Sequence, residues 1–209
     1  TKKMFTTGEL YAAQTFNNIP ASDGRTIQIG WGRIVPQNMP FGQMMLFPTE
    51  LTLRSTKEGL CLYSNPIREI ELLKESEERF EHLSLEQANA KLSGYSPEDA
   101  IRIKAVFSFG DFGHAGIKLE GNSIFMYDMN FSMINGIPYF CEDPQSMQLE
   151  LELLVDRTSV EVYIDKGRYS YSMARKVGIS KEGLSLTGSG GLHIQKLDIQ
   201  RLKSIWGSK

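Results

Sequence analysis

From about residue 93 the apolar positions of the chain recur with a period of two. Ile101, Ile103, Ala105 and Phe107 alternate with Arg102, Lys104 and Val106. The clearest run comes later, where Met147, Leu149, Leu151, Leu153 and Val155 share one face and Gln148, Glu150 and Glu152 the other. Asp156-Arg157-Thr158-Ser159 reads as a turn, after which Val160, Val162 and Ile164 return with Glu161 pointing the opposite way, to solvent. Asp165-Lys166-Gly167 turns the chain again. Shorter runs occupy 116–119, 123–127, 169–173 and 183–186. The last run, 192–202, changes apolar phase once between Ile194 and Leu197, which is what a β-bulge does. Many short strands, each with one polar face, predict an all-β antiparallel sandwich of jelly-roll type over 93–209.

The first 64 residues show four more strand-like runs. They cover 9–16, 26–31, 44–53 and 60–63, with Asn17-Asn18-Ile19-Pro20 and Ser22-Asp23-Gly24 as the first punctuation. Pro48 argues for a bend or an edge within the third run. Gly30 and Gly32 flank Trp31, which predicts a close backbone approach or a bulge beside an aromatic ring. Four short strands in about 55 residues match one blade of a β-propeller, and only one such unit is visible. Between the two regions, 65–92 is rich in charge. Ile67, Ile70 and Leu73 recur there at a spacing of three, one weak apolar stripe. We read this stretch as a solvated linker, part helical and part extended, with Pro66 at a helix start.

Composition narrows the function. The chain has 209 residues, 41% hydrophobic and 10% aromatic, enough for a sizeable core. Its 23 basic and 25 acidic residues leave a formal charge of −2, so no broad field favours nucleic acid or an anionic membrane. No apolar run approaches the roughly 20 residues of a spanning helix. Thr1-Lys2-Lys3-Met4 precedes no apolar signal core, so the start reads as a processing or fragment boundary. Two cysteines, Cys61 and Cys141, make no disulfide scaffold and no metal-type CxxC; both read as buried small side chains.

Five stretches, in order, carry a resemblance. They are Tyr-Ala-Ala-Gln-Thr-Phe (11–16), Asp-Gly-Arg-Thr-Ile-Gln-Ile-Gly-Trp-Gly-Arg (23–33), Phe-Pro-Thr-Glu-Leu-Thr-Leu-Arg (47–54), Asn-Pro-Ile-Arg-Glu-Ile-Glu (65–71) and Leu-Val-Asp-Arg-Thr-Ser-Val-Glu-Val-Tyr-Ile-Asp-Lys-Gly (154–167). Together they resemble the family 32 glycoside hydrolases, which include levanases, inulinases and invertases. The resemblance implies a last propeller blade (1–64), a linker (65–92) and a C-terminal sandwich (93–209). It also implies a fructan- or sucrose-like substrate bound by the full-length enzyme, a missing N-terminal propeller, no cofactor or metal, and an extracytoplasmic setting.

Retaining glycoside hydrolysis needs two carboxyl groups about 5–5.5 Å apart, one as nucleophile and one as acid/base. By resemblance, the motifs that supply them lie upstream of this part, so no catalytic residue is expected in the chain. Glu142-Asp143-Pro144 and Cys141-Glu142 imitate such motifs but read as loop; Asp111, Asp128, Asp156 and Glu161 read as turn or solvent-face residues. His82, His114 and His193 share no metal-ligand spacing, and His193 reads as a solvent-facing strand residue. The glycines at 110, 113 and 116 precede a strand rather than a helix, against a phosphate cradle. The resemblance makes Trp31 the candidate substrate-facing residue, with Tyr11 second; an indole face suits the C–H face of a sugar, while a core position in the blade competes with that role. Gly32 stands where many members carry Met. A second class stays open: a carbohydrate-binding or interaction sandwich, for which Phe107, Phe109, Phe112, Phe125, Tyr127 and Phe131 would need to be exposed, although their alternation suits a core equally well. A lone blade leaves open strand edges, so self-association through 1–64, or disorder there, is expected.

Overall fold

A computed structural model describes residues 5–36, 39–96, 98–110, 112–139, 147–176 and 182–205, with the side chains of 5–7 excepted. Cys141, Glu142, Asp143, Pro144 and Asp111 lie outside the described residues.

The first part holds β1 (Phe5–Gly8), β2 (Leu10–Thr15), β3 (Thr26–Gly32), β4 (Met44–Met45), β5 (Thr49–Thr56) and β6 (Gly59–Pro66). Strands β2-β3-β5-β6 pair antiparallel in that order, and β4 pairs with β3. The expected long strand over 44–53 is two strands, separated at Leu46-Phe47-Pro48 because proline cannot donate to a ladder. β1 leaves this sheet altogether and pairs in parallel with residues 169–172.

A 3₁₀ turn (Arg68–Leu73) follows, then β7 (Lys74–Leu83) and α1 (Leu85–Leu92). The spacing of three at Ile67, Ile70 and Leu73 is the period of a 3₁₀ turn, and Ile70 is fully buried against Leu154 and Tyr163. The stretch read as a solvated linker is thus built into the sandwich. β7 pairs with the last strand along nearly its whole length, with Phe80 and Leu83 against the core. Its glutamates occupy a sheet edge, where charge discourages further pairing. Ser84 and Gln87 form a reciprocal capping box at the start of α1, which buries Ala88 and Leu92.

The remaining strands are β8 (Ile101–Ser108), β9 (His114–Leu119), β10 (Asn122–Asp128), β11 (Met133–Ile134), β12 (Ile137–Pro138), β13 (Gln148–Val155), β14 (Ser159–Ile164), β15 (Tyr169–Ala174), β16 (Leu184–Gly188) and β17 (His193–Leu202). They form a seven-stranded sheet, β1-β15-β14-β13-β8-β17-β7, facing a five-stranded one, β12-β11-β10-β9-β16. The period-two alternation explains the core between them. Register sets Leu149, Leu151 and Leu153 beside Phe107, Ala105 and Ile103, and all six are buried. Across the gap Ala115, Ile117, Leu119 and Phe125 complete the layer. Each such Leu, Ile or Phe contributes about 1.5–3 kcal/mol by leaving water. The phase change in β17 is a bulge: register shifts between Ile194 and Lys196, so Ile194, Leu197 and Ile199 all reach the core. His193 is exposed, as its alternation predicts.

Several polar positions depart from the pattern, among them Arg102, Gln200 and Glu161. Glu161 does not face solvent; it is 7% exposed, because the blade-like sheet covers that side of β14.

Candidate functional site

Trp31 and Tyr11 are brought together by strand register. Tyr11 of β2 pairs directly with Trp31 of β3, and Met45 of β4 pairs with Trp31 from the other side. The two rings stand 6.2 Å apart at 57°, within the range of attractive aromatic pairs. Both remain open, Trp31 at 41% and Tyr11 at 56% exposure. Just beyond Tyr11 the register shifts before Gln14, and Ala12 adopts a positive φ of 44°; this bulge ends the direct pairing at Tyr11. Arg33 sits with its guanidinium 5.3 Å from the Tyr11 ring centre, and its Nε is 3.9 Å from Glu9. The result is an amphipathic face of two rings, one cation and one carboxylate.

The flanking glycines serve the opposite face of β3. A Cβ at Gly32 would lie 2.8 Å from Leu46, and one at Gly30 would run into Leu10. Their lack of a side chain lets Leu10 and Leu46 pack beneath the strand while Trp31 stays outward. The close approach expected from sequence is therefore present, on the side away from the ring.

Behind this face lies Glu161. Its Oε1 accepts the Phe47 N–H at 2.9 Å, and its Oε2 accepts the Tyr163 hydroxyl at 2.8 Å. Burial raises this carboxyl to about 7, a rise the two hydrogen bonds oppose and the nearby negative charge of Asp156 assists. A carboxyl titrating there has the acidity of a general acid. The cavity beside it, lined by Leu10, Gln28, Phe47 and Ser170 among others, measures only about 30 Å³. That is room for a water and far too little for a sugar ring. Glu161 is thus a sealed structural group.

The same seam is tied elsewhere. Ser64 N–H donates to the Gly167 carbonyl at 2.8 Å, Glu9 N–H donates to Ser172, and Arg168 pairs with Glu58. At one end Arg25 grips Asp23 and, with two bonds of 2.7 and 2.9 Å, Glu69 of the 3₁₀ turn. Arg25 holds both carboxyls down at about 2.

Asp128 accepts from the Asn130 N–H and Asp156 from the Arg157 N–H, which are turn roles. Among the described residues no cluster of three or more His, Cys, Asp or Glu could hold a metal ion. Cys61 is buried, with its Sγ 3.4 Å from the Thr56 hydroxyl. No helix among the described residues is long and apolar enough to cross a membrane. Of the aromatics named for a sugar-binding sandwich, Phe107, Phe109, Phe125 and Tyr127 are buried, while Phe112 and Phe131 are exposed.

Sequence reasoning missed Glu161, and a signal existed. Glu161 and Tyr163 share the face assigned to solvent, and a tyrosine flanked by Val162 and Ile164 points to a covered side.

Two sheets closed on one core, joined to a third that carries an exposed aromatic pair, define an all-β sandwich with a propeller-blade-like sheet. No model of a known protein family matches the chain. Individual proteins do. It is 26% identical over 230 residues to the levanase of Bacillus subtilis, covering 96% of this chain and 34% of that protein. It is 26% identical over 199 residues to the sucrose-6-phosphate hydrolase of Zymomonas mobilis, covering 84% and 37%. In fold it is similar to the exo-inulinase of Aspergillus awamori, with a TM-score of 0.70 at 18% identity over 97% of this chain and 45% of that one. These matches support the resemblance to the C-terminal portion of the family 32 glycoside hydrolases. It spans about a third of the length of the curated relatives it matches.

Proposed function

We propose that this chain is the supporting C-terminal part of a β-fructofuranosidase-type hydrolase acting on fructan or sucrose, with the catalytic carboxylates supplied by the rest of the enzyme. Its relatives hydrolyse by name levan and sucrose 6-phosphate. The observation that carries the reading is the open Tyr11–Trp31 pair, flanked by Arg33 and Glu9, on the sheet that resembles a last blade. Such a face packs on the apolar side of a fructosyl ring while the charged pair meets its hydroxyls. Among the described residues, the one carboxyl raised to an acid's pKa, Glu161, is sealed from substrate, which supports inactivity of the chain alone. Four of the six aromatics that a separate sugar-binding sandwich would display are buried, which weighs against that alternative.

The test is direct. Incubated with sucrose, inulin and levan, the chain by itself should release no fructose; specific, saturable release would refute the proposal. In the full-length enzyme, Trp31→Ala should raise KM about tenfold or more, the cost of losing one well-packed ring. The exposed Leu53, Leu60, Met45 and Phe16 support a further reading, self-association of the chain through residues 1–64. Light scattering tests it, and a monomer at high concentration would defeat it. An extracytoplasmic setting rests on the family resemblance alone.

A further inference from the structure

We infer that the outer face of the seven-stranded sheet carries a second, auxiliary site for a neutral oligosaccharide. The site is a groove of about 310 Å³ lined by residues of β8, β13, β14 and β17, with Asn65, Lys166 and Gly167 at one end. Its volume lies at the lower end of ordinary ligand sites. The Tyr11–Trp31 pair lies elsewhere, on the blade-like sheet, and lends no residue to the groove.

Register builds the surface. Tyr163, Glu152, Lys104 and Asp198 lie side by side across four strands, and Glu150, Val106 and Lys196 form a second row across three. Strands about 4.8 Å apart make the first row roughly 14 Å long, the span of a short oligosaccharide. By alternation Ala105 and Leu151 point into the core, so they give the floor only their backbone. The wall at Asn65 and Gly167 is fixed, because Ser64 N–H donates to the Gly167 carbonyl.

The charges specify the ligand class. Lys104, Lys166 and Lys196 stand against Glu150, Glu152 and Asp198, three of each sign. A balanced groove attracts neither an anion nor a cation, yet it is dense in donors and acceptors. Most of these groups are already held: Glu152 by Arg102 at 2.6 Å, Glu150 by Lys166 at 3.4 Å and Lys104 by Glu71 at 3.7 Å. Among the described residues, the side chains of Lys196 and Asp198 have neither an ion pair nor a hydrogen bond. They leave one donor group and one acceptor group without a direct bond, two residues apart on β17, each opposite a residue of the other charge on β7, Glu81 and Arg79. Sugar hydroxyls, which donate and accept at once, are the neutral chemistry that uses both. The groove offers no open aromatic ring, since the Tyr163 hydroxyl is spent on Glu161, so binding is weak and serves to retain a long chain near the enzyme.

The choice of a fructose oligomer rests on the function proposed above; the groove itself does not. Titration of the chain with inulin- and levan-derived oligosaccharides, followed by amide chemical shifts, tests the site. Wild type and Trp31→Ala should both show saturable shifts at Lys104, Lys196 and Asp198. The double variant Lys196→Ala/Asp198→Ala, with an unchanged circular dichroism spectrum, should lose at least tenfold in affinity. Absence of saturable shifts at these residues overturns the site. So does a double variant that binds as wild type. Loss of all binding in Trp31→Ala would also overturn the groove, while leaving the Tyr11–Trp31 face intact as the sugar contact. Fructose release by the chain alone would refute the proposed function without touching the groove.

Discussion

Replacing Glu161 by glutamine changes one atom and removes a charge from a sealed site. The folded carboxyl titrates at about 7 against an ordinary 4.5. The difference, about 2.5 units at ~1.36 kcal/mol each, amounts to about 3 kcal/mol. Because the folded value is the higher one, the folded state binds the proton more tightly than the unfolded chain. This stability is fully present below pH 4.5 and is lost as pH rises through 7. Glutamine keeps an oxygen for the Phe47 N–H and an amide that can donate to the Tyr163 oxygen, so the packing is retained. Urea unfolding of both proteins at pH 5, 6, 7 and 8.5 isolates the effect, since every other titrating group is common to the pair and cancels in the difference. The variant should gain up to about 3 kcal/mol on wild type between pH 5 and 8.5, worth roughly 6–12 °C in Tm for a chain of this size. A difference that stays constant with pH would refute the reasoning, because it would mean that Glu161 is solvated or titrates normally.

Three further outcomes follow from the packing. Leu153→Ala, at a fully buried position in the middle of the sandwich, should cost about 2–5 kcal/mol in urea unfolding. Gly167→Ala should cost about 2 kcal/mol or more and loosen the seam: its φ is +79°, and a Cβ would strike the Ser64 carbonyl. Faster hydrogen exchange at the Ser64 amide would report that loosening. Ser84→Ala removes the α1 cap and should cost about 1 kcal/mol, while Ser84→Asp should restore most of it.

The sandwich was legible in sequence because strands such as β13 have one dry face and one wetter face, which is what period-two alternation encodes, whereas β14 is buried on both. Even the bulge in β17 showed as a slip of phase between Ile194 and Leu197. The blade-like sheet was legible for the same reason, together with its turn residues. The segment 74–92 was hidden by its charge. An edge strand buries only half of one face, so Phe80 and Leu83 are its main apolar marks among glutamates, and the capping pair Ser84 and Gln87 went unread. Glu161 was misplaced because alternation reports two faces but not what covers the second one. The parallel pairing of β1 with β15 is a contact between distant parts of the chain that no local pattern announces. Trp31 and Tyr11 were nameable through the resemblance, whereas the groove depends on register across four strands and has no linear signature.

The seam between the blade-like sheet and the sandwich is fastened along its length: Glu9 to Ser172, Phe47 to Glu161, Ser64 to Gly167 and Glu58 to Arg168. Fasteners spread along a line resist twisting in a way that a single pivot cannot. A load applied to the aromatic face, such as a polymer pulling on Trp31, is therefore carried into the whole sandwich as torque instead of being absorbed by a hinge. On the function proposed above, the sandwich is ballast that keeps this wall of the sugar site in register.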